Sequence, residues 1–183
     1  MGTQAALVTV EEFLRLPAKD GVKQELIEGV VYQVGNPRGI HELVKAWTTG
    51  QFWRYSFLHP EWVPCSESMF LDDEDTAMIP DAALVRREAL LGSDLEKRFA
   101  FAPAVTVEVV SSETAEELDG KIRFALRWGV QAVLVIYPRA KEIHLRRQGA
   151  QPLILTVADT LELPGILPDF SVPVASFFEG LEP

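Results

Sequence analysis

The sequence predicts a mixed α/β (α+β) fold: a β-sheet, partly antiparallel and partly parallel, flanked by helices, with a helix and a hairpin added at the N-terminal side. Three observations carry this. Ala104-Val105-Thr106-Val107-Glu108-Val109-Val110 is a nearly continuous apolar run, the composition of a strand covered on both faces. A helical stretch from Gly120 to Trp128 separates it from a second such run, Ala132 to Tyr137, and a strand-helix-strand order makes the two strands parallel neighbours with a right-handed crossover. Upstream, shorter apolar runs broken by turn residues read as antiparallel strands.

Taken in order, Thr9 and Glu12 form a capping box, with Val8 and Phe13 placed as its hydrophobic staple, so a helix is expected from about Val10 to Leu16, stopped by Pro17. Gln24 to Val34 reads as two strands folded about Glu28-Gly29, where glycine supplies the positive φ of a tight turn. After an Asn36-Pro37-Arg38-Gly39 loop, Leu43, Val44, Trp47, Phe52, Tyr55 and Leu58 recur at mostly helical spacing until Pro60. Trp62 to Leu71 and Ile79 to Val85 are expected as two strands of a meander, joined by the acidic turn Asp72-Asp73-Glu74-Asp75. Residues 86 to 103 are charged and irregular. Beyond the central strands and their helix, which ends near Gly129, strands are expected at Glu142 to Arg147 and Leu153 to Val157, then a proline-rich passage and a short helix near Ala175 to Phe178.

The chain has 183 residues, 48% of them hydrophobic, and aromatics spread from Phe13 to Phe178, enough for one substantial core and a single domain over residues 1–183. A lone cysteine, Cys65, and the lack of a basic-then-apolar leader point to a cytoplasmic protein. No apolar run approaches the roughly 18–20 residues of a membrane span. The net charge of -10 works against a nucleic-acid partner, whose affinity comes largely from Lys and Arg neutralising phosphates. Lys121, Arg123, Arg127, Arg139, Lys141, Arg146 and Arg147 cluster late in the chain and leave room for a local basic face; a solvated surface explains them equally well.

Glu108 is the most informative residue, because it is the only ionisable group in its strand and an unpaired buried carboxylate costs several kcal/mol. A buried salt bridge or a place at the sheet edge would each account for it. Asp81 starts a second apolar strand, and two carboxylates at matching ends of neighbouring strands repel unless a cation lies between them. Such hard oxygen ligands suit Mg²⁺, which takes few carboxylates and keeps waters. Lys121 falls 13 residues after Glu108 on the helical face of Leu118 and Ala125, where it is either a catalytic cation or a surface lysine whose stem covers the core. Other motifs fail: Asp73-Glu74-Asp75 lacks the glycine and later glutamate of a calcium loop, Ser111-Ser112 lacks a nucleophile elbow, and His41, His59 and His144 are too scattered for a triad or a zinc site. Cys65 reads as a small apolar packing group.

Pro80-Asp81, then Glu108-Val109-Val110, then a helical Lys121 resembles the signature of the PD-(D/E)XK nuclease superfamily. With Thr9-Val10-Glu11-Glu12-Phe13-Leu14, Glu25-Leu26-Ile27-Glu28-Gly29, Val107 to Ser111, Trp128-Gly129-Val130 and Leu163-Pro164-Gly165, nearly the whole chain resembles the Uma-type putative restriction endonuclease family, long catalogued as a domain of unknown function. The resemblance implies a restriction-endonuclease-like fold and a Mg²⁺-dependent endonuclease, Mn²⁺ substituting, that hydrolyses nucleic-acid phosphodiester bonds, DNA foremost. It implies that Asp81, Glu108 and the Val109 carbonyl hold the metal and that Lys121 positions the attacking water. The usual lysine position, two after the acid, holds Val110, so the lysine would have migrated to the helix. Glu25 is a further acidic candidate, which could instead pair on the hairpin surface, and His41 a lining residue, which could instead cap its helix. A homo-oligomer, dimer or higher, is expected, with no membrane partner. Two other functions stay open: a catalytically silent binding or oligomerisation module, which the acidic balance favours, and a hydrolase of small phosphate esters.

Overall fold

The computed structural model describes residues 7–17, 23–34, 39–72, 74–94 and 98–181; the expected loop at Asn36 to Arg38 and the turn residue Asp73 lie outside them. Helix α1 (Val10–Leu14) opens with the predicted capping box and ends two residues earlier than expected, Arg15 already serving as its C-cap. Strands β1 (Lys23–Ile27) and β2 (Val30–Val34) form the predicted hairpin, with Glu28 and Gly29 both at positive φ. Helix α2 (Gly39–Leu58) follows.

The next region corrects the expected meander. It contains four strands, β3 (Trp62–Ser66), β4 (Phe70–Leu71), β5 (Ala77–Met78) and β6 (Ala82–Arg86), and they divide between two sheets. β3 pairs with β6, whereas the two-residue β4 and β5 pair with each other and β5 joins β1. The hairpin is thereby tied into a four-stranded sheet of order β2-β1-β5-β4. Within the stretch expected to be irregular, α3 (Arg87–Leu91) makes a short helix.

The main sheet has six strands in the order β10-β9-β8-β7-β6-β3. Its centre is β7 (Val105–Val109) beside β8 (Ala132–Tyr137), the one parallel pair in that sheet, linked through α4 (Ala115–Trp128). α4 starts at a Thr114–Glu117 capping box and stops at Gly129, which takes the left-handed conformation (φ 115°) that glycine adopts without steric cost. β9 (Glu142–Arg146) and β10 (Leu153–Leu155) complete the sheet, and a small ladder absent from the sequence reading, β11 (Thr160–Glu162) with β12 (Ser171–Pro173), precedes a 3₁₀ helix at Val174–Phe177, where a short helix was expected.

Strand alternation decides what faces the site. One face of the main sheet presents Leu84, Val105, Val107, Val109, Leu134 and Ile136 to a core shared with α2 and the C-terminal segment. The other presents Ala83, Val85, Val133 and Val135 to α4 and to Ile27 and Met78 of the second sheet. By that alternation Thr106 and Glu108 belong to the α4 face, so β7 carries a carboxylate where α4 packs down.

Candidate active site

Asp81 immediately precedes β6, and its N–H donates to the Val107 carbonyl at 3.0 Å. Because β6 and β7 are antiparallel with Ala82 opposite Val107, Asp81 comes level with Glu108 at the C-terminal end of β7. The backbone N–H of Val109 donates to Asp81 Oδ2 at 2.7 Å. His41 Nε2, reaching over from the first turn of α2, lies 3.1 Å from the same oxygen. Two partners thus hold Oδ2, and Oδ1 has none among the described residues.

Lys121 occupies the buried stripe of α4 with Leu118, Ile122 and Ala125, which excludes the surface-lysine alternative. Its Nζ lies 3.3 Å from Glu108 Oε2 and forms an ion pair with Glu25 Oε2. Glu25 is fully buried, not paired on the hairpin surface, and its Oε1 accepts from the Ile79 N–H at 2.7 Å. A carboxylate from β1, one from β7 and an ammonium from α4 therefore meet where the two sheets and the helix converge. Lys121, enclosed by acids, adds nothing to a basic surface. Arg127, another member of the predicted basic cluster, is paired with Glu28.

The triad is not charge-balanced. Glu108 is buried, its Oε1 makes no hydrogen bond, and desolvation pushes its carboxyl up to about 8 against the opposing pull of Lys121, with Glu25 and Asp81 adding repulsion. For Lys121 burial works against the charge, but Glu108 and Glu25 outweigh it and the ammonium is held above its ordinary value. His41 shows the same contest: desolvation disfavours its charged form, yet Asp81 and Glu42 raise it overall.

These groups line one cavity of about 280 Å³. Glu25, His41, Asp81, Glu108 and Lys121, the side chains singled out in the sequence, all border it. Sequence reasoning did not single out Lys23, Tyr32, Gln33 or Glu117, which border it too; alternation along β2 was the available signal for Tyr32. Glu113 and Glu117 at the rim are spent locally, Glu113 accepting from the Ser111 and Ser112 N–H groups and Glu117 closing the α4 capping box. Cys65 is partly buried against the α4-side core, and desolvation pushes its thiol up to about 11, in keeping with a packing role.

Among the described residues, no group of three or more His, Cys, Asp and Glu side chains is arranged to hold a metal ion. Mg²⁺ does not need one, since it commonly takes one or two carboxylates and keeps waters. The unbonded oxygens of Asp81 and Glu108, on neighbouring strands and in carboxylate excess, fit such an ion. Among the described residues no helix is long and apolar enough to cross a membrane.

A search of curated proteins finds no match. Among solved structures, the chain is similar to a putative nuclease belonging to DUF820 from Anabaena variabilis ATCC 29413, with a TM-score of 0.81, 19% identity, and coverage of 93% of this chain and 97% of that one. At that identity the likeness establishes the fold. The profile of the Uma2 family, described as "Putative restriction endonuclease", matches residues 10–175, and the chain belongs to that family.

Proposed function

We propose that the chain is a Mg²⁺-dependent endonuclease, Mn²⁺ substituting, that hydrolyses phosphodiester bonds of nucleic acid, DNA foremost. The observation that carries the reading is the pairing of Asp81 with Glu108 on adjacent strands beside a buried Lys121. Family membership supports it.

Asp81 and Glu108 would hold the metal, with the Val109 carbonyl as a third oxygen. When bound, the ion would neutralise charge on the diester and acidify water. The remaining work falls to the chain. His41 and the Val109 N–H fix the Asp81 carboxylate by its Oδ2, so that its orientation is set before substrate arrives. Glu25 fixes the ammonium of Lys121, preventing its collapse onto Glu108 alone. Lys121 would orient the attacking water and offset negative charge as it grows on the phosphorus-bound oxygens. The site's own acids would repel a phosphodiester, so binding of substrate requires the added cation.

One observation favours a silent module instead. Lys121 already has two carboxylate partners, as a purely structural ion triad would. Calorimetric titration of Mg²⁺ and Mn²⁺ into wild type, Asp81→Asn and Glu108→Gln, with cleavage of plasmid, single-stranded DNA and small phosphate esters alongside, separates the readings. The nuclease reading requires metal binding lost in both variants and metal-dependent cleavage of the polymers; cleavage of small esters alone assigns the site to that chemistry, and no metal binding by folded wild type assigns it to the silent module.

A further inference from the structure

α2 buries one face against the main sheet and leaves the other apolar in water. Leu43, Trp47, Trp53, Phe57 and Leu58 are all exposed, Phe57 and Leu58 at 80% and Trp47 least, at 39%, its indole N–H donating to the Glu179 carbonyl at 2.9 Å. Their spacing is symmetric about Gly50. Trp47 and Trp53 stand three residues before and after it, Leu43 and Phe57 seven before and after, so at 3.6 residues per turn the four cluster around the line through Gly50.

No neighbour among the described residues requires a glycine at position 50. A glycine in a helix interior costs about 1 kcal/mol relative to alanine. A Cβ built there would meet nothing within 4 Å, so the fold does not demand its absence. Glycine at the centre of an exposed apolar helix face lets another backbone come close.

We infer that this face pairs with itself: two copies of the chain associate through antiparallel α2 helices that cross at Gly50. A two-fold axis at the crossing brings Leu43 of one copy level with Phe57 of the other, and Trp47 level with Trp53, so one surface is its own complement, as an isologous dimer requires. The five exposed side chains leave on the order of 500–600 Å² of apolar surface per copy, taking roughly 150–250 Å² for a whole aromatic side chain. Covered completely, the two faces would bury about 1,100 Å², at the level of the ~1,000 Å² expected of a specific interface. His41 lies nine residues before Gly50, roughly 14 Å along the helix, so the pair carries its two cavities towards opposite ends. The pairing stands independently of the chemistry in the cavity.

The test is solution mass, by light scattering and sedimentation, for wild type and for Trp53→Glu/Phe57→Glu. Each is checked for fold by circular dichroism. In parallel, Ala46→Cys and Leu91→Cys are made on a Cys65→Ser background and treated with a long-armed bis-maleimide; Ala46 is exposed one turn before Gly50, so no side chain is added at the crossing itself. Leu91 is exposed on α3, away from the proposed axis. The expected result is twice the 20.4 kDa chain mass for wild type, the chain mass for the double variant, and covalent dimer from Ala46→Cys but not from Leu91→Cys. Monomeric wild type, a folded double variant that still dimerises, or cross-linking no greater at position 46 than at 91 overturns the proposal. Monomeric wild type that co-sediments with anionic lipid vesicles assigns the face to a membrane surface and overturns it equally.

Discussion

Glu108 sits in a strand that buries its carboxylate beside one ammonium and two further acids, and its behaviour follows from that inventory. With its carboxyl pushed from an ordinary 4.5 up to about 8, the folded chain between those pH values keeps a proton that the unfolded chain has released. Folded binding exceeds unfolded binding there, so this group's contribution to stability falls as pH rises through the window. Glu108→Gln removes the titration. The expected outcome is a variant that gains melting temperature relative to wild type as pH goes from about 4.5 to about 8, without metal; a pH-independent difference would refute the assignment. Lys121→Met leaves Glu25 and Glu108 buried without their cation, and breaking a buried pair in this way costs about 3–5 kcal/mol. Denaturant unfolding measures that loss, and adding Glu25→Gln should recover part of it. His41→Ala should spare the fold and weaken Mg²⁺ binding by about 10–100-fold, because it frees Asp81 to rotate without removing a ligand; calorimetry reads it.

At the level of elements, α4 is the lever that places Lys121, and its ends are chemically marked. Thr114→Ala deletes the side-chain acceptor for the Glu117 N–H and half of the capping box, for an expected loss of about 1 kcal/mol in chemical denaturation. In the sequence α4 was legible from its end at Gly129, as β7 and β8 were from their unbroken apolar runs, and the lone acid of β7 gave away Glu108. β4 and β5 were not legible, since two residues carry no periodicity and their partners lie in β1 and in each other. β11 and β12, at three residues each with a single inward side chain, Leu161 and Val172, are equally silent. Asp81 could be read from its place before an apolar strand. That Glu25 reaches Lys121, or His41 reaches Asp81, could not, because those contacts join residues 96 and 40 positions apart and exist only once β1 is tied through β5 and α2 is laid across the sheet.

Across the whole molecule, the net charge of -10 matches the site, where acids outnumber the cations that meet them. A cation that binds only the folded state stabilises it by mass action, about 2.7 kcal/mol at a hundredfold excess over its dissociation constant. The most direct measurement is therefore the melting temperature of wild type, Asp81→Asn and Glu108→Gln, titrated with Mg²⁺ against a matched series of NaCl at equal ionic strength. A saturable rise that exceeds the salt control is expected for wild type and is expected to be absent from both variants. A wild-type curve that follows the salt control, or variants that rise as wild type does, would contradict a metal site at Asp81 and Glu108.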